Sequence, residues 1–220
     1  MPKRRTELEE AIGPALNGLE DFPPLEIVRP EMQPLPEYED NFTEEISEEN
    51  IEAPRLLLCG SGEAARESAK LAQQCGFKLE IAINDTSEGT DKNWPEAENI
   101  YIVPDWLDIV ERCNIDRNCF VCLFIENEEE CEDILLQCLP SEAHYLGVYG
   151  DIEKRRKIFY GLREMGAPDA ELVAIACPMG LNIGASNSMQ HAVAICAELL
   201  AAKAGTLKRL EHGDYKKGSS

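Results

Sequence analysis

Basic residues are scarce in this sequence of 220 residues. Lys and Arg together number 21 against 42 Asp and Glu, so the formal net charge at pH 7 is −21. A charge of this sign opposes attraction to the phosphates of nucleic acid and to an anionic membrane surface. We therefore expect neither a nucleic-acid partner nor a membrane partner.

Long apolar runs are also missing. No stretch approaches the about 18 consecutive apolar residues of a transmembrane helix. The opening Met-Pro-Lys-Arg-Arg-Thr-Glu-Leu lacks the apolar segment of a secretory signal. The sequence thus predicts a cytoplasmic protein.

Histidine occurs only three times, at His144, His191 and His212. The three are scattered and form no metal-binding pair, and no nucleophile, base and orienting group fall into a recognised catalytic spacing. We predict no metal site. The pattern favours a binding protein over an enzyme, although the sequence alone does not decide between the two.

Nine cysteines, an odd number, lie mostly within apolar runs. This distribution suits free thiols in a reducing compartment better than a disulfide framework. Cys119 and Cys122 form a C-x-x-C inside an apolar run, where strand alternation sends the two side chains to opposite faces, so we interpret both as core residues. Cys177 falls on a loop near the expected site, where a sulfur relay and simple packing are both open.

Composition divides the chain into three regions. Residues 1–53 hold 15 acidic and 4 basic residues and are repeatedly interrupted by proline. They predict an acidic N-terminal arm with a short helix near residues 6–19, and both an ordered arm and a disordered tail are open. Residues 54–205 have the length and pattern of one α/β domain, and residues 206–220 form a C-terminal tail.

The stretch from residue 55 to residue 65 sets the fold class. An apolar run is followed by Gly60-Ser61-Gly62 and then by a helical pattern through residue 71. This order is typical of dinucleotide-binding folds, in which glycines permit a tight turn and a close approach of the backbone to a phosphate at the helix start. We place a ligand site here, and the alternative is a close-packed turn without a ligand. The residues assigned to it are Gly60, Ser61, Gly62, Glu63 and Ala64.

A second strand is predicted over residues 77–84 and ends at Asn84 and Asp85, the latter 23 residues after Gly62. In dinucleotide folds an acid at this point accepts hydrogen bonds from a ribose. Asn84 and Asp85 are therefore candidate ligand residues, and an ordinary turn aspartate is the alternative. The polar loop that follows, residues 86–98, is a candidate cover for the ligand.

The rest of the domain alternates between strands and helices. Strands are predicted at 99–103, 119–125, 144–149 and 172–176, and helices at 104–113, 126–139, 152–165 and 188–204. The alternation predicts an α/β fold, namely a doubly wound, mostly parallel Rossmann-like sheet with helices on both faces, preceded by the acidic arm. Gly150 and Asp151, at a predicted strand end, join the candidate site. A basic cluster at residues 154–157 lies near the start of a predicted helix. It is either an anion-binding site or a solvated helix face.

The most specific pattern is Pro178-Met179-Gly180-Leu181-Asn182-Ile183-Gly184-Ala185. It resembles the Pro-Ile-Gly-Leu-Asp-Ile-Gly-Ala signature in the C-terminal Rossmann domain of the xanthine dehydrogenase accessory proteins, the XdhC/CoxI-like family. Tyr-Leu-Gly-Val-Tyr-Gly at 145–150 resembles the family's Tyr-Ile-Gly-x-Ile-Gly strand, and Leu-Leu-x-x-Gly-x-Gly at 56–62 agrees too. The resemblance covers roughly residues 53 to 205.

The resemblance implies a molybdenum-cofactor chaperone. Members of the family bind the molybdopterin form of the cofactor, assist replacement of a terminal oxo ligand by sulfur with a cysteine desulfurase, and help deliver it to apo molybdenum hydroxylases. It adds Pro178, Gly180, Asn182 and Gly184 to the expected site. Two other classes stay open, an NAD(P)-binding oxidoreductase or redox sensor and a Rossmann-fold assembly module without a ligand.

The chain departs from the family at several of these positions. Ser-Arg-Arg-Lys after the Tyr-Ile-Gly strand is Asp-Ile-Glu-Lys at 151–154, which removes two expected cations. The signature's Asp is Asn182, its preceding His is Ala176, and the Asp-Asp-Arg of the second strand end is Asn-Asp-Thr at 84–86. We interpret the chain as a short, diverged member. Its last helix is apolar on more than one face, and we predict that this helix or the N-terminal arm contributes to a homodimer.

Overall fold

The computed structural model describes residues 53–207, and every structural statement here concerns those residues. The arm up to residue 52, with its predicted helix, and the tail from residue 208 lie outside them. Six strands form a single sheet in which every pairing is parallel. They are β1 (Arg55–Gly60), β2 (Lys78–Ile83), β3 (Asn99–Ile102), β4 (Cys119–Phe124), β5 (Tyr145–Val148) and β6 (Ile175–Ala176).

Helices connect the strands and flank the sheet. They are α1 (Glu63–Gln74), α2 (Ile109–Arg112), α3 (Glu128–Cys138), α4 (Ile152–Glu164), α5 (Asp169–Leu172) and α6 (Ser188–Lys203), with a 3-10 turn at Leu139–Ser141. None of the helices within residues 53–207 is both long and apolar enough to cross a membrane.

The strand order is β3-β2-β1-β4-β5-β6. The chain therefore winds outward from β1 in one direction and from β4 in the other, which is the order of dinucleotide-binding folds. The predicted doubly wound Rossmann-like sheet is confirmed. In such sheets ligands bind beyond the carboxyl ends of the strands, near the point where the winding direction reverses.

Two apolar layers cover the sheet. Leu57 and Cys59 of β1 face the layer that contains α3 and α4, whereas Leu56 and Leu58 face the layer that contains α1 and α6. All four side chains are at most 1% exposed. A strand buried on both faces needs a continuous apolar run rather than an alternating one, which explains the composition of β1 and β4.

Side-chain caps fix the starts of three helices at the carboxyl edge of the sheet. Asn127 accepts from the Glu129 amide at 2.9 Å, and Asp151 accepts from the Lys154 amide at 2.8 Å. Asn187 accepts from the Gln190 amide at 2.9 Å. Each cap satisfies an amide that the helix leaves unpaired. The caps therefore determine where α3, α4 and α6 leave the edge that holds the candidate site.

The helix predicted over residues 104–113 is wrong, since only Ile109–Arg112 is helical. Trp106 and Asp108 have φ values of 55° and 58°, which interrupt a right-handed helix. The Trp106 ring is 3% exposed and its indole donates to Glu130 Oε2 at 2.6 Å. Burial of this aromatic ring thus overrides the local helical pattern.

One other expectation needs correction. Residues 169–172 form α5, so the strand predicted over 172–176 shortens to Ile175–Ala176. The buried face of α4 contains Ile158, Phe159 and Leu162, whereas Ile152 is 50% exposed.

The loop over residues 86–98 packs onto the sheet. Trp94 is 1% exposed and belongs to the apolar layer with Ile81 and Ile83. Its indole donates to the Glu88 carbonyl at 3.0 Å. The loop is therefore anchored by its tryptophan.

Candidate functional site

A cavity of about 450 Å³ opens at the carboxyl edge of the sheet. It is formed by the end of β5, by residues 177–185, which we call the signature loop, and by the first turns of α6. Five of the predicted site residues line it, Gly150, Pro178, Gly180, Asn182 and Gly184. The other lining residues are Tyr149, Ile152, Met179, Leu181, Ile183, Ala185, His191 and Ala194. Among residues 53–207, no Lys, Arg, Asp or Glu lines this cavity.

The signature loop is pressed against α6 at Gly180. This residue has a φ of 100°, and a Cβ added there would lie 3.3 Å from the Ala194 Cβ and from the Ile195 backbone nitrogen. The Leu181 amide donates to the Ala194 carbonyl at 3.1 Å. The glycine therefore allows close contact with a helix, in a conformation that other residues rarely adopt.

A buried carboxylate fixes the position of the loop. Glu198 of α6 is 7% exposed and accepts two hydrogen bonds, from the Gly180 amide at 2.6 Å and from the Tyr145 hydroxyl at 2.9 Å. It thus connects the signature loop, α6 and β5. Sequence reasoning missed this residue, and the available signal was an acid within an otherwise apolar helix.

Three side chains give the cavity its polar and aromatic character, Asn182, Tyr149 and His191. The Tyr149 ring stacks on Phe124 with centroids 5.3 Å apart, and the His191 ring meets Tyr149 edge-on at 5.5 Å. Sequence reasoning missed Tyr149 and His191. Tyr149 was detectable because it directly precedes Gly150 at the predicted strand end.

The two glycines of the glycine turn, residues 60–64, have different surroundings. Gly60 has a φ of 99°, and an added Cβ would lie 2.3 Å from the Phe124 carbonyl oxygen. Gly60 is therefore required for the packing of β1 against β4. Gly62 has a φ of 116°, and no atom lies within 4 Å of its added Cβ. Its surroundings are open, at the start of α1.

The glycine turn does not contribute to the cavity lining. Ser61 is exposed, Ala64 is buried in the core, and Glu63 Oε2 accepts from the Ser188 hydroxyl at 3.1 Å. We expected the signature loop to lie beside residues 60–63. The hydrogen bond between Ser188 and Glu63 joins the first residues of α6 and α1, and Ser188 lies just beyond the signature loop.

Asn84 and Asp85, which follow β2, form hydrogen bonds with residues outside the cavity. Asp85 Oδ1 accepts from the Ser87 amide and from the Ser87 hydroxyl, each at 2.8 Å, and these bonds lower the pKa of Asp85. This is the geometry of a turn aspartate. The Asn84 amide group donates to Glu130 Oε2 at 3.4 Å. Neither residue lines the cavity.

A shallow groove adjoins the cavity and shares Tyr149 and Gly150 with it. The charged residues that line this groove are Glu126, Glu128, Asp151, Glu153, Lys154 and Lys157. Four carboxylates therefore face two ammonium groups. Asp151, the remaining predicted site residue of this region, lies in the groove and not in the cavity.

The basic cluster of α4 is engaged in contacts inside the chain. The Lys154 ammonium donates to the carbonyls of Ile125 and Tyr149, just beyond β4 and β5. Lys157 pairs with Glu128 at 2.9 Å, and this hydrogen bond raises the pKa of Lys157 and lowers that of Glu128. Together with the carboxylates of the groove, these contacts give the rim a negative character.

Eight of the nine cysteines are buried, and Cys75 is partly exposed. All nine are free, and Cys119 and Cys122 lie in opposite apolar layers, as predicted. Cys177 is 4% exposed, and burial raises its pKa to about 12. Its thiol is thus packed rather than presented to the cavity. Across residues 53–207, no group of three or more His, Cys, Asp and Glu side chains is placed to hold a metal ion.

Two relatives give the domain its context. The uncharacterised protein YqeB of Escherichia coli (strain K12) is 25% identical over 150 residues, which make up 68% of this chain and 27% of YqeB. A crystal structure of a xanthine dehydrogenase from Bacillus halodurans matches with a TM-score of 0.61 at 22% identity, over 74% of this chain and 46% of that one. The second likeness shows the fold. The chain spans less than half the length of either relative.

The family model of the XdhC Rossmann domain matches residues 56–199. This range begins in β1 and ends in α6, so it includes the glycine turn, the end of β5 and most of the cavity-forming helix. It also contains the whole signature loop. The match covers well over half of the chain, and the chain therefore belongs to the XdhC family through this Rossmann domain.

Proposed function

We propose that this chain is an accessory protein that handles the molybdenum cofactor during maturation of a molybdenum hydroxylase of the xanthine dehydrogenase type. The observation that supports it most is that the family's own signature loop builds the wall of a heterocycle-sized cavity. Ligand cavities in proteins commonly measure about 300–1,000 Å³ and combine apolar walls with a few polar groups.

The cavity residues fit the pterin part of the cofactor. Asn182 offers both a donor and an acceptor to a heterocycle, Tyr149 and His191 supply aromatic surface, and the remaining walls are apolar. The cofactor, when bound, supplies the molybdenum centre that the client enzyme uses. This chain's residues bind the heterocycle, orient it and exclude water from its apolar faces.

The proposed partners are an apo molybdenum hydroxylase and a cysteine desulfurase. A sulfur relay through Cys177 has little support, because this thiol is 4% exposed and its pKa is raised to about 12. We therefore assign Cys177 a packing role. This chain's part in the proposed scheme is to hold the cofactor on which a desulfurase would act.

A homodimer is also part of the proposal. Met189, Val193 and Leu200 recur along one face of α6 and are 50%, 47% and 40% exposed. Other α6 residues, such as Ile195 and Leu199, are buried within the domain. A second copy of the chain is the occupant we propose for the exposed stripe.

The NAD(P) alternative has weaker support, although the strand order suits it. The acid that would bind a ribose, Asp85, is held by Ser87, and Gly60 is accounted for by packing against Phe124. An assembly module without a ligand would leave the cavity unexplained.

Reconstitution tests the proposal directly. The apo hydroxylase is incubated with molybdopterin, with and without the purified full chain, and its activity is followed over time. The chain is expected to raise the yield of active enzyme, and the Asn182→Leu variant is expected to help less. Equal activation with and without the chain would reject the accessory function. Absorbance of the purified chain gives a second check, since a reduced-nicotinamide band would favour the NAD(P) alternative.

A further inference from the structure

We infer that the mouth of the cavity is a docking surface for a protein that presents Lys and Arg side chains around an apolar contact. The inference rests on the proposed function for the identity of that protein, the apo molybdenum hydroxylase. It rests on the structure for the position and the chemistry of the contact. It thus adds where a partner binds and which side chains recognise it.

The first observation is a group of exposed apolar side chains at the opening of the cavity. Ile152, Leu181 and Ile183 all line the cavity, yet they are 50%, 41% and 51% exposed. They come from two segments, the start of α4 and the signature loop. Single exposed apolar side chains are ordinary, but several gathered at one opening are typical of a surface that another molecule covers. We call these three side chains the apolar mouth.

The second observation is the acidic groove beside the apolar mouth. Asp151 of the groove directly precedes Ile152 of the mouth, and the groove lining has four carboxylates and two lysines. The two helix starts that flank the groove, residues 126–133 and 151–157, contain eight Asp and Glu against four Lys and Arg. The apolar mouth therefore has a negatively charged neighbour.

The four basic side chains of this region are engaged within the chain. Lys154 donates to two backbone carbonyls, and the Arg155 guanidinium lies 4.8 Å from the centroid of the Phe159 ring. Arg156 and Lys157 each pair with a carboxylate at 2.9 Å. Their side chains are exposed, and exposed ion pairs are weak, so an incoming cation can compete for these carboxylates.

Charge decides which occupant suits this surface. A second copy that docked mouth to mouth by two-fold symmetry would bring an identical acidic groove to the contact, and like charges disfavour such a complex. The stripe that we propose for the dimer, Met189, Val193 and Leu200, shares no residue with the described cavity lining, so the two contacts do not compete. A basic partner gains charge complementarity, and the chain's net charge of −21 speeds its approach.

Binding of the apo hydroxylase to the immobilised full chain tests the docking surface. It is measured by biolayer interferometry without any cofactor, so that ligand binding in the cavity does not contribute. The parent is expected to bind, and Ile183→Ser is expected to weaken the affinity about fivefold, because apolar contact area is lost. Leu107→Ser is the matched control, since Leu107 is 57% exposed and lies outside the cavity lining. It should change the affinity less than about twofold.

Charge variants test the acidic groove in the same assay. Glu126→Lys reverses an exposed charge of the groove and should slow association about tenfold at low ionic strength. Added salt should remove most of this difference, because the charges are exposed. Glu164→Lys makes the same change at an exposed position at the far end of α4, and should slow association less than about twofold.

Carbodiimide cross-linking identifies the chemistry of the contact. The reagent joins a carboxylate to a lysine that touches it, and the joined peptides are identified by mass spectrometry. We expect links from Glu126, Asp151 or Glu153 to lysines of the hydroxylase. Links from these residues to another copy of the chain, detected by mixing isotope-labelled and unlabelled protein, would overturn the proposal in favour of a second copy.

The remaining outcomes separate the docking surface from the proposed function. Failure of the parent to bind the hydroxylase, or parent-like binding of either Ile183→Ser or Glu126→Lys, would overturn the docking surface. The accessory function is judged by activation of the hydroxylase in the reconstitution, and it survives these results if activation is seen. Conversely, the expected pattern of variants without activation would reject the accessory function and leave the docking surface standing.

Discussion

The glycine turn and the signature loop use the same residue type at the same edge of the sheet for different purposes. In the glycine turn, Gly60 is required because a side chain would collide with the neighbouring strand, at 2.3 Å from the Phe124 oxygen. In the signature loop, Gly180 brings the backbone against α6, and the loop and the first turns of α6 together line a cavity. A glycine pattern therefore identifies a tight turn, and only its surroundings show where a ligand has room.

The two segments also differ in their electrostatic surroundings. Glu63 of the glycine turn is hydrogen-bonded to Ser188. The signature loop instead donates a hydrogen bond to the buried Glu198, and among the described residues no Lys, Arg, Asp or Glu lines the cavity beside it. The acid of the turn lies at a helix start that an anionic ligand would otherwise use. The acid behind the loop holds its shape.

The largest expected effect is on the glycine turn. Gly60→Ala introduces a backbone clash in a left-handed conformation and should lower the free energy of unfolding by roughly 4 kcal/mol, measured by urea denaturation. Gly166→Ala is the matched control, because Gly166 has a φ of 90° and open space at its added Cβ. Its cost should be about 1–2 kcal/mol. Equal losses in the two variants would remove the packing explanation for Gly60.

The next effect concerns the support of the signature loop. Glu198→Ala removes the buried carboxylate that accepts from the Gly180 amide and from the Tyr145 hydroxyl, and should destabilise the domain by about 3 kcal/mol. Hydrogen exchange at Gly180 should become faster relative to the central strands. Glu198→Gln retains one carbonyl oxygen, so we expect a smaller loss. Unchanged exchange in Glu198→Ala would show that other contacts hold the loop.

A smaller effect is expected at the front of the loop. Asn182→Leu should weaken molybdopterin binding by at least ~1 kcal/mol, about fivefold, because polar ligand atoms lose their partner. Asn182 is exposed, so the stability of the domain should not change. Asn182→Asp retains an acceptor and should bind neopterin as the parent does. Parent-like affinity of the leucine variant for molybdopterin would remove Asn182 from the site.

The smallest effect on the domain itself is expected on the exposed stripe of α6. Val193→Glu should change the free energy of unfolding by less than about 0.5 kcal/mol, because the side chain is 47% exposed. It should nevertheless halve the mass measured by light scattering at tens of micromolar. Lys203→Gln, near the end of the same helix, changes the net charge by the same −1 and is the charge control. A parent chain that is monomeric at this concentration would contradict the proposed dimer.

Much of the fold was predictable because its signals are local. Continuous apolar runs marked β1 and β4, and the helix predicted at 188–204 corresponds to α6. The segment around Trp106 was not predictable, since burial of one ring against a distant helix outweighs the sequence pattern. Local signals thus define elements well and fail where a contact between distant residues decides the backbone conformation.

The candidate site was also predictable only in part from the sequence. The signature loop was found by its pattern, and Gly180 and Asn182 do line a cavity. Asp85 shows why position alone was insufficient, because its hydrogen bonds to Ser87 depend on the turn it forms. Tyr149 and His191 come from separate elements, and only the folded chain brings their rings together.

The burial of Cys177 also has a kinetic consequence. A thiol with a pKa of about 12 is ionised in only about one molecule in 10⁵ at pH 7. Since the thiolate is the form that attacks persulfides and disulfides, this residue is nearly inert toward activated sulfur. If a sulfur donor acts on a ligand in the cavity, as proposed, Cys177 therefore does not compete with that ligand for the sulfur.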